Sequence, residues 1–279
     1  MVRRMTTHES SERDYVLGTH DEEIARLALQ HRVWREHVLE GWRIAGIGPG
    51  QRVLDVGAGP GFVAVDLGGV VGPSGRVLGI ERSGRFVEHA RALAAARGLS
   101  NVELREADLD ALTLEPLGLD AAWCRWVAAF VTQPDRLVSN LSRALRSGGV
   151  AVFHEYSDYR TWRLVPEHPA MEAFVSAVID TWRAAGGDAD IGRRLPAMLV
   201  SAGFEITNLR ALHFASRPGD AIWPWPVAFI ESGTRRMESL GRLTPEQGET
   251  LRRLWAEAEN NPAAFSPTPV VLEIVATRK

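Results

Sequence analysis

The densest cluster of chemistry-bearing residues in this 279-residue sequence is the run "VLDVGAGPGF", residues 53–62. Glycines at 57, 59 and 61 leave the backbone nearly bare, so a ligand is expected to come close to it. The spacing is G-x-G-x-G. That is one residue tighter than the G-x-G-x-x-G loop that offers a helix N-terminus to a dinucleotide pyrophosphate. Asp55 stands two positions before the first glycine, where a carboxylate would repel a pyrophosphate and suit an ammonium group. Glu81, in "GIERS", follows a second apolar run at the distance where an acid hydrogen-bonds ribose hydroxyls. Asp108, in "READLD", is placed to accept from an adenine amino group. No G-K-[ST] ending supports a phosphate loop. An amino-acid ammonium, a ribose and an adenine without phosphate describe S-adenosylmethionine.

A second set of residues could serve a small acceptor. "WCRWVAAF" brings Trp126, "FHEYSDYRTW" brings His154, Glu155, Tyr156 and Tyr159, and "LHFASRPGDAIWPWP" brings His213, Trp223 and Trp225. Histidine titrates closest to working pH, so His154 and His213 are the candidate general bases for a hydroxyl acceptor. The alternative for His154 is a packing or hydrogen-bonding role at the sheet edge. Trp126, Tyr156, Tyr159, Trp223 and Trp225 are candidate contacts to a small, flat, partly apolar molecule. His154, Glu155 and Asp158 are the local metal-ligand candidates, but successive strand residues point to opposite faces, so no metal is expected.

The elements that must position these residues alternate. "GTHDEEIARLALQHRVWREHVLEGWRIAG" reads as a helix, with Thr19 and Glu22 in a capping-box pattern and Ile24, Leu27, His31, Trp34, Val38 and Trp42 on one face. Residues 1–14 carry no such pattern. Short apolar strands at "RVLDVGA", "GRVLGIER", "NVELREAD", "LDAAWCRWVAAF" and "VAVFHEYSD" then alternate with helices, one of them opened by Ser83 and closed by Gly98. Such alternation means a parallel sheet covered on both faces. The expected fold class is therefore α/β, a Rossmann-like doubly wound sheet, mostly parallel, with an antiparallel C-terminal edge strand and a helical cap. The expected organisation is N-terminal lid helices over 1–45 and a ligand-binding core over 46–160. Cap helices with one core strand (204–215) fill 161–265, and the edge strand covers 266–279.

From "GPGQRVLDVGAGPGFVAVDL" through "GRVLGIERS", "NVELREADLD", "LDAAWCRWVAAF" and "LRSGGVAVFHEY", the chain resembles the class I S-adenosylmethionine-dependent methyltransferases. It is most similar in style to the ubiquinone/menaquinone-biosynthesis type and its small-molecule, secondary-metabolite relatives. The resemblance covers residues 46–157 and is loose in the cap regions. It implies that Gly57, Ala58, Gly59 and Gly61 border the methionine part of S-adenosylmethionine, with Asp55 near its ammonium. It implies that Glu81 holds the ribose with Arg82 beside the adenine, that Asp108 and the Leu109 backbone read the adenine edge, and that Arg125 lies near the methionine and the acceptor. In such families an N-terminal helix closes over the cofactor, which makes Tyr15, Arg26 and Gln30 candidate contacts from a lid.

The bulk properties agree. A net charge of −3, with 45% apolar and 24% charged residues, gives no general attraction to nucleic acid or an anionic membrane. One cysteine, Cys124, excludes an internal disulfide and fits a reducing, cytoplasmic compartment, and no apolar run reaches the length of a membrane span. A D/N-P-P-Y segment for base methylation is missing after the fourth strand, as is the glutamate pair of protein-arginine enzymes, so the expected partner is a small-molecule acceptor. A homodimer is left open. The competing readings are a non-catalytic binder of S-adenosylmethionine or S-adenosylhomocysteine acting as a partner subunit, and an NAD-dependent oxidoreductase, which the loop spacing and Asp55 disfavour.

Overall fold

A computed structural model describes residues 20–279. Residues 1–14, the lid candidate Tyr15 and the expected capping residue Thr19 lie outside the described residues. Helix α1 (Asp21–Ile44) leads into five strands: β1 (Arg52–Val56), β2 (Arg76–Glu81), β3 (Val102–Glu106), β4 (Leu119–Arg125) and β5 (Leu145–Asp158). Between them stand α2 (Phe62–Val71), α3 (Gly84–Ala96) and α4 (Pro134–Ala144). The remainder supplies α5 (Pro169–Ala184), α6 (Leu195–Ser201), β6 (Phe204–Leu212), a two-residue strand β7 (Ala215–Ser216), α7 (Pro224–Ser239), α8 (Pro245–Ala258), β8 (Ser266–Pro267) and β9 (Val270–Arg278). The alternation expected over the first half is therefore present, and Ser83 caps α3 by accepting from the Phe86 N–H at 3.3 Å.

The main sheet has seven strands in the order β3-β2-β1-β4-β5-β9-β6. β1 pairs in parallel with both β2 and β4, so the connection reverses direction beside the glycine loop. The α/β sheet with one antiparallel strand is as expected, but the position of that strand is corrected. β9 pairs antiparallel with β5 on one side and β6 on the other, and the edge belongs to β6. The physical reason lies in burial: Val271, Ile274, Val275 and Ala276 of β9 are all buried, as a central strand requires. β6 instead alternates and exposes Leu209 by 53%.

Two apolar clusters cover the two sheet faces. One unites α1, α2 and α3 with Val53, Val77, Trp123 and Val152 and continues into α5, α7 and α8. The other joins α4 and α6 to Leu54, Ile80, Phe153 and Ile274. Two expectations change here. Leu195 and Leu199 of α6 pack beneath the sheet, so α6 is a layer of the core and not part of a cap. α1 is more than a lid, because Trp34, Val38 and Trp42 are essentially fully buried. Trp42 meets Trp123 edge-on at 5.6 Å, and truncating either indole would cost roughly 3–5 kcal/mol. At the start of α1, His20 occupies the cap position and accepts from the Glu23 N–H at 3.3 Å. No helix among the described residues is long and apolar enough to cross a membrane.

Candidate functional site

β1 and β4 end side by side where the sheet order reverses, the position at which α/β sheets bind ligands. A cavity opens there. Its floor is the loop from Asp55 through Pro60, its walls are Glu81, Arg82, Asp108, Leu109 and Asp110 on one side and Trp123 with Arg125–Val127 on the other, and Leu27 and Gln30 of α1 close it. Eleven of the residues singled out from the sequence therefore share one cavity: Gln30, Asp55, Gly57, Ala58, Gly59, Glu81, Arg82, Asp108, Leu109, Arg125 and Trp126.

The glycine loop divides its labour. At Gly57 (φ +64°) a Cβ would stand 2.4 Å from Val127 Cγ2, so the residue must be small. At Gly59 (φ +53°) a Cβ would meet nothing within 4 Å, which leaves its backbone open to the cavity. Gly61 faces Ala90 of α3 and sets helix packing instead of lining the cavity, which corrects its expected role. Glu81 ties the loop down: Oε2 accepts from the Gly59 N–H at 3.0 Å and Oε1 from the Ser83 N–H at 2.9 Å. Burial raises the Glu81 carboxyl above its ordinary range, against the pull of those amides. Asp108 accepts the Asp110 N–H at 2.9 Å, which shapes the turn below Leu109.

Asp55 and Arg125 dominate the electrostatics. Asp55 is 2% exposed and its Oδ2 has no hydrogen-bond partner among the described residues. Burial pushes its carboxyl up to about 8, with Arg125 pulling it down and Glu81 pushing it further up. Arg125 is half-buried, with its guanidinium turned inward; that desolvation draws it down to about 10, and its Nη1 has no partner. Its Nη2 lies 3.5 Å from His31 Nδ1, while His31 Nε2 lies 3.2 Å from Asp66 Oδ2. The ring thus accepts from the arginine and donates to the aspartate. A buried acid and a guanidinium, each with an unsatisfied buried atom, therefore stand in one cavity.

Beyond Arg125 an aromatic wall leads toward α5 and α7. Trp126 lies 5.6 Å from both Tyr156 and Trp225 in near-parallel stacks, and Arg125 Cζ sits 5.1 Å from the Trp126 ring. Tyr156, Tyr159 and Trp225 line a small adjoining cavity with Trp162, Pro226, Phe229 and Pro269. Trp225 Nε1 donates to Gln30 Oε1 at 3.2 Å, which couples this wall to α1. Arg26 does not line the cavity; it holds Glu23 through two contacts of 2.7 and 2.8 Å and donates to Gln30.

Three expectations are corrected. Trp223 turns away from the cavity, packs on Trp255 at 5.2 Å and donates to Glu259 at 2.7 Å, because it stands at the start of α7 on the face toward α8. His154 is fully buried under α1, with Nε2 2.8 Å from Glu273 Oε2 and its ring 4.7 Å from Trp123. It does not line the cavity, and burial, opposed by the Glu273 bond, lowers its pKa. His213 is exposed beyond the end of the edge strand, outside the cavity lining.

Sequence reading missed Phe62, Phe86 and Phe130 in the lining, and it named Glu155 only as an acceptor-side residue, not as one that holds a turn. Phe62 carried a signal, since it follows the last glycine of the loop directly. Glu155 carried none beyond its neighbour His154.

Comparison with known proteins gives consistent findings. The family model for a methyltransferase domain matches residues 47–196. An uncharacterized 37.1 kDa protein in a Streptomyces fradiae transposon is 33% identical over 198 residues, 70% of this chain and 54% of that protein. The ubiquinone/menaquinone biosynthesis C-methyltransferase UbiE of Pseudomonas putida is 28% identical over 128 residues, 46% of this chain and 49% of that protein. The chain therefore spans about half the length of the curated relatives it matches. The solved structure of a candidate methyltransferase from Bacillus halodurans C-125 shares the fold, with a TM-score of 0.61 and 20% identity over 86% of this chain and 97% of the other.

Proposed function

This chain belongs to the methyltransferase-domain family, and from that membership and the cavity we propose that it binds S-adenosylmethionine and methylates a small, partly aromatic or apolar acceptor. The observation that carries the reading is the pair of buried, unsatisfied atoms in one cavity, Asp55 Oδ2 and Arg125 Nη1. They fit the ammonium and the carboxylate of an amino acid, and the open backbone at Gly59 fits close contact with the linker to the nucleoside. Bound there, S-adenosylmethionine supplies a methyl group already activated on a sulfonium for in-line displacement.

The chain's own part is binding, alignment and exclusion of water. Asp55 and Arg125 orient the amino-acid end, Glu81 takes the ribose hydroxyls, and Asp108 with the Leu109 backbone takes the adenine edge. Trp126, Tyr156, Tyr159 and Trp225 present an apolar, flat wall on which the acceptor stacks. His154 and His213 stand outside the cavity lining, so neither is assigned the role of base. A carbon acceptor suits that arrangement, in keeping with the name of the UbiE relatives. A single cysteine and a small acceptor fit a cytoplasmic setting.

The test has two stages. A thermal-shift panel with S-adenosylmethionine, S-adenosylhomocysteine, NAD and NADP should show stabilisation by the first two alone; stabilisation by NAD in their place overturns the reading. Transfer of labelled methyl to a library of phenols, quinols and enols then separates an enzyme from a non-catalytic binder, which would bind and never turn over.

A further inference from the structure

β5 closes with two consecutive buried polar side chains on opposite sides of the sheet, His154 toward α1 and Glu155 toward the turn after β4. Glu155 is fully buried. Its Oε1 accepts from the Val127 N–H at 2.7 Å and the Ala128 N–H at 2.8 Å, with Cys124 Sγ 3.8 Å from the same oxygen. Oε2 has no partner among the described residues. A carboxyl in this position is unfavourable to bury, and burial pushes it up to about 7 against the pull of the backbone donors. An aliphatic side chain would suit the surrounding apolar cluster better, so the acid must be judged by what it holds.

It holds the turn that carries the cationic wall of the cavity. Trp126 stands at φ +52°, the one non-glycine residue in the left-handed region among those described. Such backbone persists only where its surroundings over-determine it. Here the Trp126 N–H donates to the His154 carbonyl at 3.0 Å, and the next two amides go to Glu155. Arg125 and Trp126 both face the cavity from this turn. Val127 lies against Gly57, where a Cβ would come within 2.4 Å of it, so the turn and the glycine loop are in register.

We propose that Glu155 is a positioning residue: its Oε1 clamps the Val127 and Ala128 amides, fixes Trp126 in its left-handed conformation and so aims the Arg125 guanidinium at the carboxylate of the bound amino-acid moiety. The inference rests on the S-adenosyl reading of the cavity. Its signature is selectivity. S-adenosylhomocysteine has the amino-acid end that meets Arg125; 5′-methylthioadenosine keeps the nucleoside and the sulfur but lacks that end. Glu155→Leu should raise the S-adenosylhomocysteine Kd on the order of tenfold or more, the loss expected when a charged hydrogen-bond partner is misplaced, and leave the methylthioadenosine Kd within about threefold. Glu155→Gln, which keeps an oxygen acceptor at the same reach, should restore the parent's affinity for both. Should the leucine variant fail to fold, Glu155→Asp retracts the carboxylate from the amides while keeping its charge, and the same selective loss is expected. An equal loss of both ligands, or no loss of either, overturns the proposal. A parent chain that binds neither ligand overturns the S-adenosyl reading itself, and this proposal with it.

Discussion

Two buried polar clusters in this molecule are made of the same residue types and behave oppositely. Around Glu273 of β9 both carboxylate oxygens have partners, although His154 Nδ1, on the far side of its ring, has none. Its Oε2 meets His154 at 2.8 Å, its Oε1 meets Arg210 at 2.6 Å and Asn208 at 3.2 Å, and Arg210 reaches on to Glu40 of α1 at 3.1 Å. Gly41 lets α1 approach so closely that a Cβ would lie 2.6 Å from Glu273 Oε2. Burial pushes the Glu273 carboxyl up, but the His154 and Arg210 bonds together outweigh it and leave the group below its ordinary range. Around Asp55 the reverse holds: an acid and an arginine lie in one cavity with one atom each unsatisfied, and the acid is pushed up. A closed cluster is matched to itself and fastens α1 to the sheet. An open one is matched to something else. The contrast teaches that an acid whose two oxygens are both partnered serves the fold, while an acid and a guanidinium that keep open atoms in a shared cavity are left available to a ligand.

The sharpest way to break this comparison is to open the closed cluster. Glu273→Ala leaves His154 without its partner and Arg210 with Glu40 alone, and is expected to cost about 3–5 kcal/mol in denaturant unfolding, while the S-adenosylhomocysteine affinity of the folded protein stays within about threefold. A stability loss below about 1 kcal/mol would show that the cluster does not fasten α1. Asp55→Asn should act in the opposite sense. It replaces a buried carboxyl whose Oδ2 has no partner, so the unliganded protein is expected to gain stability, yet S-adenosylhomocysteine binding should weaken by about 1–3 kcal/mol by calorimetry. If the substitution destabilises the unliganded chain and leaves binding intact, the two clusters have been assigned the wrong way round.

A pH series sharpens the same point. The Asp55 carboxyl titrates near 8 when folded against an ordinary 3.8. Between those values the unfolded chain releases a proton that the folded chain keeps. The stability that Asp55 contributes is therefore present at low pH and drains away as pH rises toward 8. The advantage of Asp55→Asn over the parent should widen from pH 5 to pH 8, by up to about 4 kcal/mol at about 1.4 kcal/mol per pH unit; a gap that narrows with rising pH contradicts the raised carboxyl. The smallest effect belongs to His213, which stands apart from both clusters. His213→Ala should change stability by less than about 0.5 kcal/mol and leave methyl transfer unchanged, whereas a fall in turnover of 10²–10⁴ would reinstate it as the base.

The part of the site built on single strand-to-loop junctions is legible in the amino-acid sequence alone. Asp55 with its glycines, Glu81, and Asp108 with Leu109 each sit where an apolar strand ends, and in a parallel sheet all such ends share one edge. The local pattern therefore implies a common cavity without any knowledge of distances. The aromatic wall is half legible: Trp126 and Tyr156 follow adjacent strands, but Trp223 and Trp225 are two residues apart on one helix start, and only packing decides that Trp225 turns to Gln30 and Trp223 to Glu259. The assignment of His154 as a base fails for the same reason. His154 and Glu155 are neighbours on one strand, so they must face opposite ways, but alternation does not say which face lies under α1.

The sequence by itself determined the kind of sheet and the acids and glycines that gather at one of its edges, because those depend on short-range patterns: apolar runs, a glycine spacing, an acid at a strand tip. Tertiary structure alone decided that β9 slots between β5 and β6, that α1 is fastened by Glu273, and that Glu155 serves the turn after β4. Each of these joins residues far apart in the chain. Glu273 lies 119 residues from His154, and its partners are specified by which surfaces can be buried together and not by any local pattern.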